Sequence, residues 1–389
     1  MIVAKVIFIL SLSLIAYAYV GYPALIFVVS RLFPRRVRRA DITPKVSLII
    51  TAYNEERDIA AKLENSLALD YPPDKLEIIV ASDCSSDRTD EIVRGFTERG
   101  VILHRRPERL GKSVAQNHAV KVAGGEVLVF SDATTMYAPD AVRQIVRSFA
   151  DPEVGCAAGQ LIYVDDAQTA VGKGCRSYWG YEKFIKASES RAGSLIGVSG
   201  CLYAVRRSSY ARLALDMSSD FVIATEIHLQ GQRTVYERDA VAMEDTNQQS
   251  RDEFRMRVRV IEQTFSALHR YRVALGLGEH GLFAFQLISH KILRYAVPLF
   301  LAVAFAANAC LVGESAFYHL SFVAQLVFYL AAAAGWLGER LRLRLGVLAL
   351  PYYFALANAA SLAAFVQFMR GKANVLWEPV RESRAAGSS

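Results

Sequence analysis

Cysteine is scarce: Cys84, Cys156, Cys175, Cys201 and Cys310 are the only five in 389 residues, and no two of them form a CxxC pair. A scattered, odd-numbered set excludes a disulfide framework and a zinc site of paired-cysteine spacing, and it fits a reducing compartment. Internal repeats are missing too, and low complexity is confined to the tail from Arg384 to Ser389. Ionisable residues are sparse inside the long apolar runs, which argues against a transporter with a polar substrate path. The net charge of +7 sits mostly beside those runs and in one helical stretch. Anionic lipid headgroups explain that placement, so membrane lipids are expected partners and nucleic acid is not.

What the chain has in excess is apolar character, with 53% hydrophobic residues. From Ile2 to Phe33 the run is nearly unbroken, longer than the roughly 20 residues that cross a bilayer. It leads into Arg31, Arg35, Arg36, Arg38 and Arg39 rather than into a small-residue cleavage site. That predicts a retained anchor over 1–33 with its basic end in the cytoplasm. Three more runs, Ile292 to Val312, Phe317 to Leu337 and Val347 to Met369, predict about three spans over 292–371, followed by a tail over 372–389. The expectation is an integral protein of the plasma (inner) membrane with its polar middle on the cytoplasmic side. Three simple spans would carry the tail across the membrane, whereas Arg340, Arg342, Arg344, Arg370 and Lys372 favour the near side. A re-entrant segment and an external tail both remain open.

Over 43–245, short Val- and Ile-rich runs alternate with amphipathic stretches, the pattern of an α/β sheet. Strands are predicted at Val46 to Thr51, Glu77 to Ala81, Val101 to His104 and Glu126 to Ser131. Helices are predicted at Arg57 to Leu69, Arg88 to Thr97, Ser113 to Ala123 and Asp140 to Ala150. Ligands of such sheets gather beyond the carboxyl ends of the strands, where Tyr53, Asn54 and Glu55, then Asp83, then Asp132 stand.

Asp132 follows an apolar strand in FSDATT and is the candidate ligand for a divalent cation, Mg or Mn, which would neutralise a departing diphosphate. A simple turn residue is the alternative. Asp83 precedes Asp87, itself explained as a helix cap, and either accepts from a nucleotide base or makes a turn. Lys112 and Asn117 lie near a helix start, where backbone N–H groups favour anions. Further on, Phe254, Val258, Ile261, Phe265 and Leu268 recur at helical spacing with arginines between them. That predicts amphipathic interfacial helices over 251–291, with core packing as the alternative.

In order and spacing, these stretches resemble the family 2 glycosyltransferases. PKVSLIITAYNEE at Pro44 to Glu56, DCSSDRT at Asp83 to Thr89 and FSDAT around Asp132 match the donor loop, the nucleotide-contacting turn and the metal-binding region. GVSGCLYAVRR, with Gly197 and Gly200, resembles the acceptor-side segment, and SSDFVIATEIHLQGQRTVYERDAVAMED resembles the stretch carrying the base, which falls on Asp220. The alternative for Asp220 is an ordinary helix cap, and Glu226 is read as structural. The resemblance implies a GT-A domain that takes a sugar from a nucleotide-diphospho-sugar, a UDP-sugar first, to a polysaccharide or lipid-linked acceptor in envelope or exopolysaccharide synthesis. It implies donor contacts from Tyr53, Asn54, Glu55, Asp83, Lys112, Asp132 and Arg259. Two departures stand out. Thr134 replaces the second acid of the DxD pattern, and the QxxRW pattern of processive synthases is reduced to Arg259, with Met256 and Val260 at its flanks. The rival readings are single-sugar transfer to a lipid acceptor and a catalytically silent scaffold or export subunit. Arg255 and Arg257 are expected to face headgroups, and Trp377 to mark an interface.

Overall fold

The computed structural model describes residues 1–164, 170–214, 217, 219–245, 250–341, 343 and 345–371, with the backbone alone for 170–178. The tail 372–389 with Trp377, as well as Arg342, Arg344 and the side chain of Cys175, lies outside the described residues. In chain order, the apolar helix α1 (Ile2–Leu32) precedes β1 (Val46–Ala52), α2 (Ile59–Leu67), β2 (Leu76–Ser82), α3 (Thr89–Arg94) and β3 (Val101–Arg105). Next come α4 (Lys112–Val122), β4 (Val127–Asp132), β5 (Met136–Tyr137), α5 (Ala141–Val146) and β6 (Val154–Val164). Then α6 (Ala170–Ala192), β7 (Leu202–Arg206), α7 (Ser219–Leu229), β8 (Arg233–Asp245) and α8 (Ser250–Arg270) complete the polar middle. Three long helices follow: α9 (Leu277–Ala309), α10 (Ala316–Arg340) and α11 (Gly346–Met369).

The eight strands form one sheet in the order β3-β2-β1-β4-β7-β6-β8-β5. β3, β2, β1 and β4 are parallel, β7 runs against β4 and β6, and β8 is parallel to β6. Every residue of β1 is buried, the signature of a strand covered on both faces. Successive side chains alternate between faces. Leu48 and Ile50 therefore join the core beneath α2 and α5, with Ile59, Leu63 and Ile145. Ile49 turns to the opposite core, with Ala115 and Ala119 of α4 and Ile223 and Ile227 of α7. The four predicted strands match the observed ones to within a residue at each end, because apolar runs between turn residues set their limits. Three of the four predicted helices are shorter than expected, α3 ending at Arg94 rather than Thr97, while α4 keeps its predicted length one residue earlier in the chain.

Among the described residues, four helices are long and apolar enough to cross a membrane, and they leave large apolar side chains uncovered, among them Ile2 at 78%, Leu330 at 67% and Val347 at 86% exposure. Such surfaces fit lipid rather than water. α9 starts at Leu277, ahead of the Ile292 read from sequence, and contains a kink at Gly281 and a wide turn over Leu287–Ile292. That turn lies beside a second one in α1, and Tyr17 OH and Ser289 Oγ are 2.9 Å apart across them.

The apolar stripe of α8 is covered by protein. Val258 and Ile261 pack on Ala360 and Ala364 of α11, so core packing accounts for the spacing of that stripe. Arg257 also departs from expectation. Its Nε donates to the buried Glu253 at 2.8 Å and its guanidinium reaches Tyr353 of α11, so it is an internal ion pair and not a headgroup contact. Part of the basic cluster after α1 is docked as well: Arg35 pairs with Glu153 and Arg39 with Glu237, both at 2.8 Å.

Gly125 stands at the entry to β4, where an added Cβ would collide with Ser47 N and lie 2.8 Å from the Val46 carbonyl carbon. Backbone cannot yield as a flexible side chain would. Gly125→Ala is therefore expected to destabilise the polar domain by about 1–3 kcal/mol, read as a lowered thermal midpoint in detergent.

Candidate active site

β1, β2, β4 and β8 all point their carboxyl ends toward one edge of the sheet, and β7, running the other way, begins there. The loops after the parallel strands, the segment before β7 and the first turn of α7 thus converge on one crevice.

On the donor side, the loop after β1 is laced to the loop after β2. Asn54 adopts φ 55°, a left-handed backbone that asparagine tolerates. Its side-chain oxygen accepts from Ser86 N at 2.7 Å, while Glu55 N donates to Thr89 Oγ1 at 2.7 Å and Glu56 N to Asp87 Oδ2 at 3.2 Å. Asp87 also accepts from Thr89 N at 3.0 Å, at the first residue of α3, although Arg88 and not Asp87 holds the cap position. Asp83 is buried, and its carboxylate accepts from Leu110 N at 3.0 Å and Gly111 N at 2.7 Å. In this structure it fastens the turn that leads into α4. Gly111, at φ 95°, takes a conformation that a side chain would oppose, and Lys112 follows directly. Arg109 lies 3.8 Å from the Tyr53 ring centre, a cation–π contact. Tyr53, Asn54, Glu55 and Asp83 are therefore neighbours. Asn117 is not one of them: it clamps Leu213 through both its amide groups, at 2.8 and 2.9 Å.

At the centre, Lys112 Nζ is ion-paired with Asp132, each side chain 20% exposed. Burial pulls the Lys112 ammonium down, but the charges of Asp132 and, less strongly, Asp220 outweigh it and hold its pKa above the ordinary value. A methyl group on Gly200 would lie 3.5 Å from Lys112 Nζ and 3.9 Å from Asp220 Cβ, so Gly200 sits between the two. Asp220 falls within the first turn of α7, and its carbonyl accepts from Val198 N at 2.8 Å. That bond ties the Gly197–Gly200 segment to the helix start. Arg259 reaches the same place from α8: burial lowers its pKa while Asp132 and Asp220 pull the other way. Glu226 lies elsewhere and accepts from Tyr271 OH.

Two contributors were missed in the sequence. Glu244, near the end of β8, accepts from Thr134 Oγ1 at 3.2 Å. Burial first, then the charge of Asp132, pushes its carboxyl up to about 7. An acid at the carboxyl end of a strand parallel to β4 was the available signal, but β8 acquires that direction only by pairing with β6. Lys186 of α6 donates to Ser199 Oγ at 2.9 Å, and burial lowers its pKa. Near them Lys62, fully buried, donates to Thr135 O at 2.6 Å, and burial lowers its pKa to about 7.

Among the described residues, no group of three or more His, Cys, Asp or Glu side chains is arranged to hold a metal ion. Asp132, Glu244 and the Thr134 hydroxyl are a hard-oxygen set of the kind Mg and Mn take. A ligand diphosphate would supply the remaining oxygens. The residues present thus fit a divalent cation held jointly with its ligand.

Residues 47–214 match the family model described as Glycosyl transferase family 2. The poly-beta-1,6-N-acetyl-D-glucosamine synthase of Staphylococcus aureus (strain COL) is 30% identical over 199 residues, 49% of this chain and 48% of that protein. The probable glycosyltransferase YdaM of Bacillus subtilis is 36% identical over 132 residues, 32% of this chain and 31% of that protein. The chain thus spans about half the length, or less, of these curated relatives. Among solved structures, the mannosyltransferase PcManGT of Pyrobaculum calidifontis, in complex with GDP-Man and Mn2+, is similar with a TM-score of 0.71 and 25% identity, covering 94% of this chain and 99% of that one. The α/β sheet with its flanking helices is a GT-A fold.

Asp132→Ala and Glu244→Ala are each expected to weaken Mn2+ binding in the presence of a nucleoside diphosphate by roughly tenfold or more, within the range seen for lost metal-site partners. Thr134→Ala is expected to change it by less than about threefold. Manganese titration followed by electron paramagnetic resonance reads both, and equal affinity in all four proteins would remove Glu244 from the site.

Proposed function

We propose that this chain, which carries a glycosyltransferase family 2 domain across residues 47–214, is a membrane-bound inverting glycosyltransferase. It moves a sugar from a nucleotide-diphospho-sugar to a polysaccharide or lipid-linked acceptor. The observation that carries this reading is the gathering of Asp132, Asp220 and Glu244 with Lys112 and Arg259 round one cleft.

The sugar lies between two sets of groups in this scheme. Asp220 takes the proton of the acceptor hydroxyl, whose oxygen attacks the anomeric carbon from the face opposite the diphosphate. The bond from that carbon to the phosphate oxygen breaks, and the nucleoside diphosphate leaves with the electron pair. Lys112 and Arg259 are the cations that meet this growing negative charge, in a cleft dry enough to strengthen their effect. Asp132 and Glu244, with Thr134, would hold a divalent cation, which when bound screens the diphosphate charge. Tyr53 with Arg109, the Asn54–Glu55 loop and Asp83 form the nucleotide end. Gly197 and Gly200, lacking side chains, leave the acceptor side beside Asp220 unobstructed.

The apolar helices support a membrane location, and the arginines after α1 support a cytoplasmic face of the inner membrane. The similarity to a poly-N-acetylglucosamine synthase and to a structure holding GDP-Man makes UDP-N-acetylglucosamine and GDP-mannose the first donors to test. A second reading, single-sugar transfer, is favoured by Val260 standing where processive synthases carry the QxxRW tryptophan.

Asp220→Asn is expected to lower the transfer rate about 10²–10⁴-fold with donor affinity nearly intact. Nucleotide release and equilibrium donor binding measure the two effects, and normal turnover by the variant would sink the assignment of the base.

A further inference from the structure

α11 meets its neighbours in two different ways. Against α8 it runs side by side: Phe254 packs with Ala349, Tyr352 and Leu356, Val258 and Ile261 with Ala360 and Ala364, and Phe265 with Phe365 and Phe368. Both helices advance in step, so their axes run in nearly the same direction. Against α10 it crosses. Tyr352 OH donates to Glu339 Oε2 at 2.6 Å, while the Phe354 ring centre lies 5.6 Å from that of Phe328. Residues two apart on α11 thus touch points about 16 Å apart on α10, at a rise of about 1.5 Å per residue. Side-by-side packing of α10 and α11 would not give that spread. Gly335 lets the two approach, since a methyl group there would lie 2.7 Å from Tyr352 Cβ.

α10 is one of three helices that do pack lengthwise. At one end of this bundle Phe8 of α1 clusters with Ala304 of α9 and Tyr318 of α10, and Lys5 pairs with Glu314 at 2.6 Å. No residue of α11 belongs to that cluster. At the other end, beside the catalytic domain, the Arg294 guanidinium of α9 lies 5.8 Å from the Tyr19 ring centre of α1. Phe354 of α11 touches the same Tyr19, with ring centres 5.3 Å apart. Ala360, Ala363 and Ala364 pack with Tyr295, the residue after Arg294. From Phe354 to Ala364 a helix advances about 15 Å, yet both positions stand at the level of Arg294 and Tyr295 in α9. α11 therefore lies across the bundle rather than along it.

The charge of α8 leads to the same arrangement. α8 belongs to the catalytic domain, since Ala267 and Leu268 share a core with Phe221 and Val222 of α7. It carries Arg251, Asp252, Arg255, Arg259, Glu262 and Arg270, and a crossing α11 would draw such a neighbour into hydrocarbon at high cost. The stretch 346–369 itself holds no Asp, Glu, Lys or Arg. Its exposed side chains Val347, Leu350, Leu362, Phe365, Val366 and Met369 fall on one face at helical spacing, opposite a face already filled by protein.

We propose that α11 is an in-plane helix whose open face rests on the acyl chains of the near leaflet, and that the chain crosses the bilayer with α1, α9 and α10 only. Length and composition alone make α11 look like a fourth span. Its end at Met369 then stays on the side of the catalytic domain, where Arg340 and Arg370 are favoured. The leaflet lies one helix away from α8, whose Arg259 reaches the cleft. The proposal stands apart from the transferase reading.

Two measurements on the full chain test it. Green fluorescent protein or alkaline phosphatase is fused after Ser389, or phosphatase is inserted at Gly313, in a bacterial inner membrane. The fusions after Ser389 are expected to fluoresce and to lack phosphatase activity, and the Gly313 insertion to be active. Nitroxide labels at Val347, Leu350, Leu362 and Met369, in protein with its native cysteines exchanged and held in phosphatidylglycerol-containing nanodiscs, then report depth through collisions with oxygen and a nickel chelate. All four are expected at one shallow depth, within about one helical turn of 5 Å. Active phosphatase after Ser389, or a depth that changes steadily from Val347 to Met369 across the roughly 30 Å core, would show a crossing helix and overturn the proposal. Greatest depth at Leu350 and Leu362 would show a re-entrant segment, and exclusion of oxygen from all four labels a protein partner, with the same result. Should the cysteine exchange impair folding, the fusions keep the native cysteines and still decide between crossing and not crossing.

Discussion

The pairing of Lys112 with Asp132 joins the start of one helix to the end of one strand, and the rest of the cleft is arranged round it. Three carboxylates from separate segments approach this point, and like charges in a poorly hydrated cleft repel strongly. Lys112 and Arg259 make the gathering tolerable, and burial first, then the charge of Asp132, raises the Glu244 carboxyl. A divalent cation and an anionic diphosphate would enter such a place as a pair, since either alone leaves the charge unbalanced. The glycine at position 200 is part of the same constraint, because a side chain there would crowd both Lys112 and Asp220.

The sheet explains why these residues meet. A parallel array of β3, β2, β1 and β4 sends its loops to one edge, and the reversed β7 brings the 197–200 segment to that edge from the other direction. β8 then returns parallel to β6 and places Glu244 across from Thr134. Thr134, at the second position of the DxD pattern, thus hydrogen-bonds an acid from a strand more than a hundred residues later. That contact is tertiary.

Attachment to the apolar helices is also specific. Tyr22 of α1 and His290 of α9 both meet Glu189 of α6, and Arg294 pairs with Glu182 two turns earlier in α6. Buried ionic groups of this kind contribute little net stability but penalise misplaced partners strongly. They hold α6, and with it Lys186 and Trp179, in fixed relation to the helices of the apolar part. The catalytic cleft and the apolar helices are in this way one mechanical unit.

Composition and periodicity alone determined the apolar helices, the α/β class and the strand limits, because burial selects side chains by local pattern and each pattern lies within a few consecutive residues. Motif order singled out Asp83, Asp132, Asp220 and Arg259, and the structure brings Asp132, Asp220 and Arg259 close together while Asp83 fastens the turn into α4. Long-range pairing decided the rest. The α8 stripe found its partner in α11, Arg257 found Glu253 and Tyr353, Asn117 turned to Leu213, Glu244 came to Thr134 and Lys186 to Ser199. None of these contacts has a local signature, because each depends on which distant surface arrives opposite it once the chain has closed.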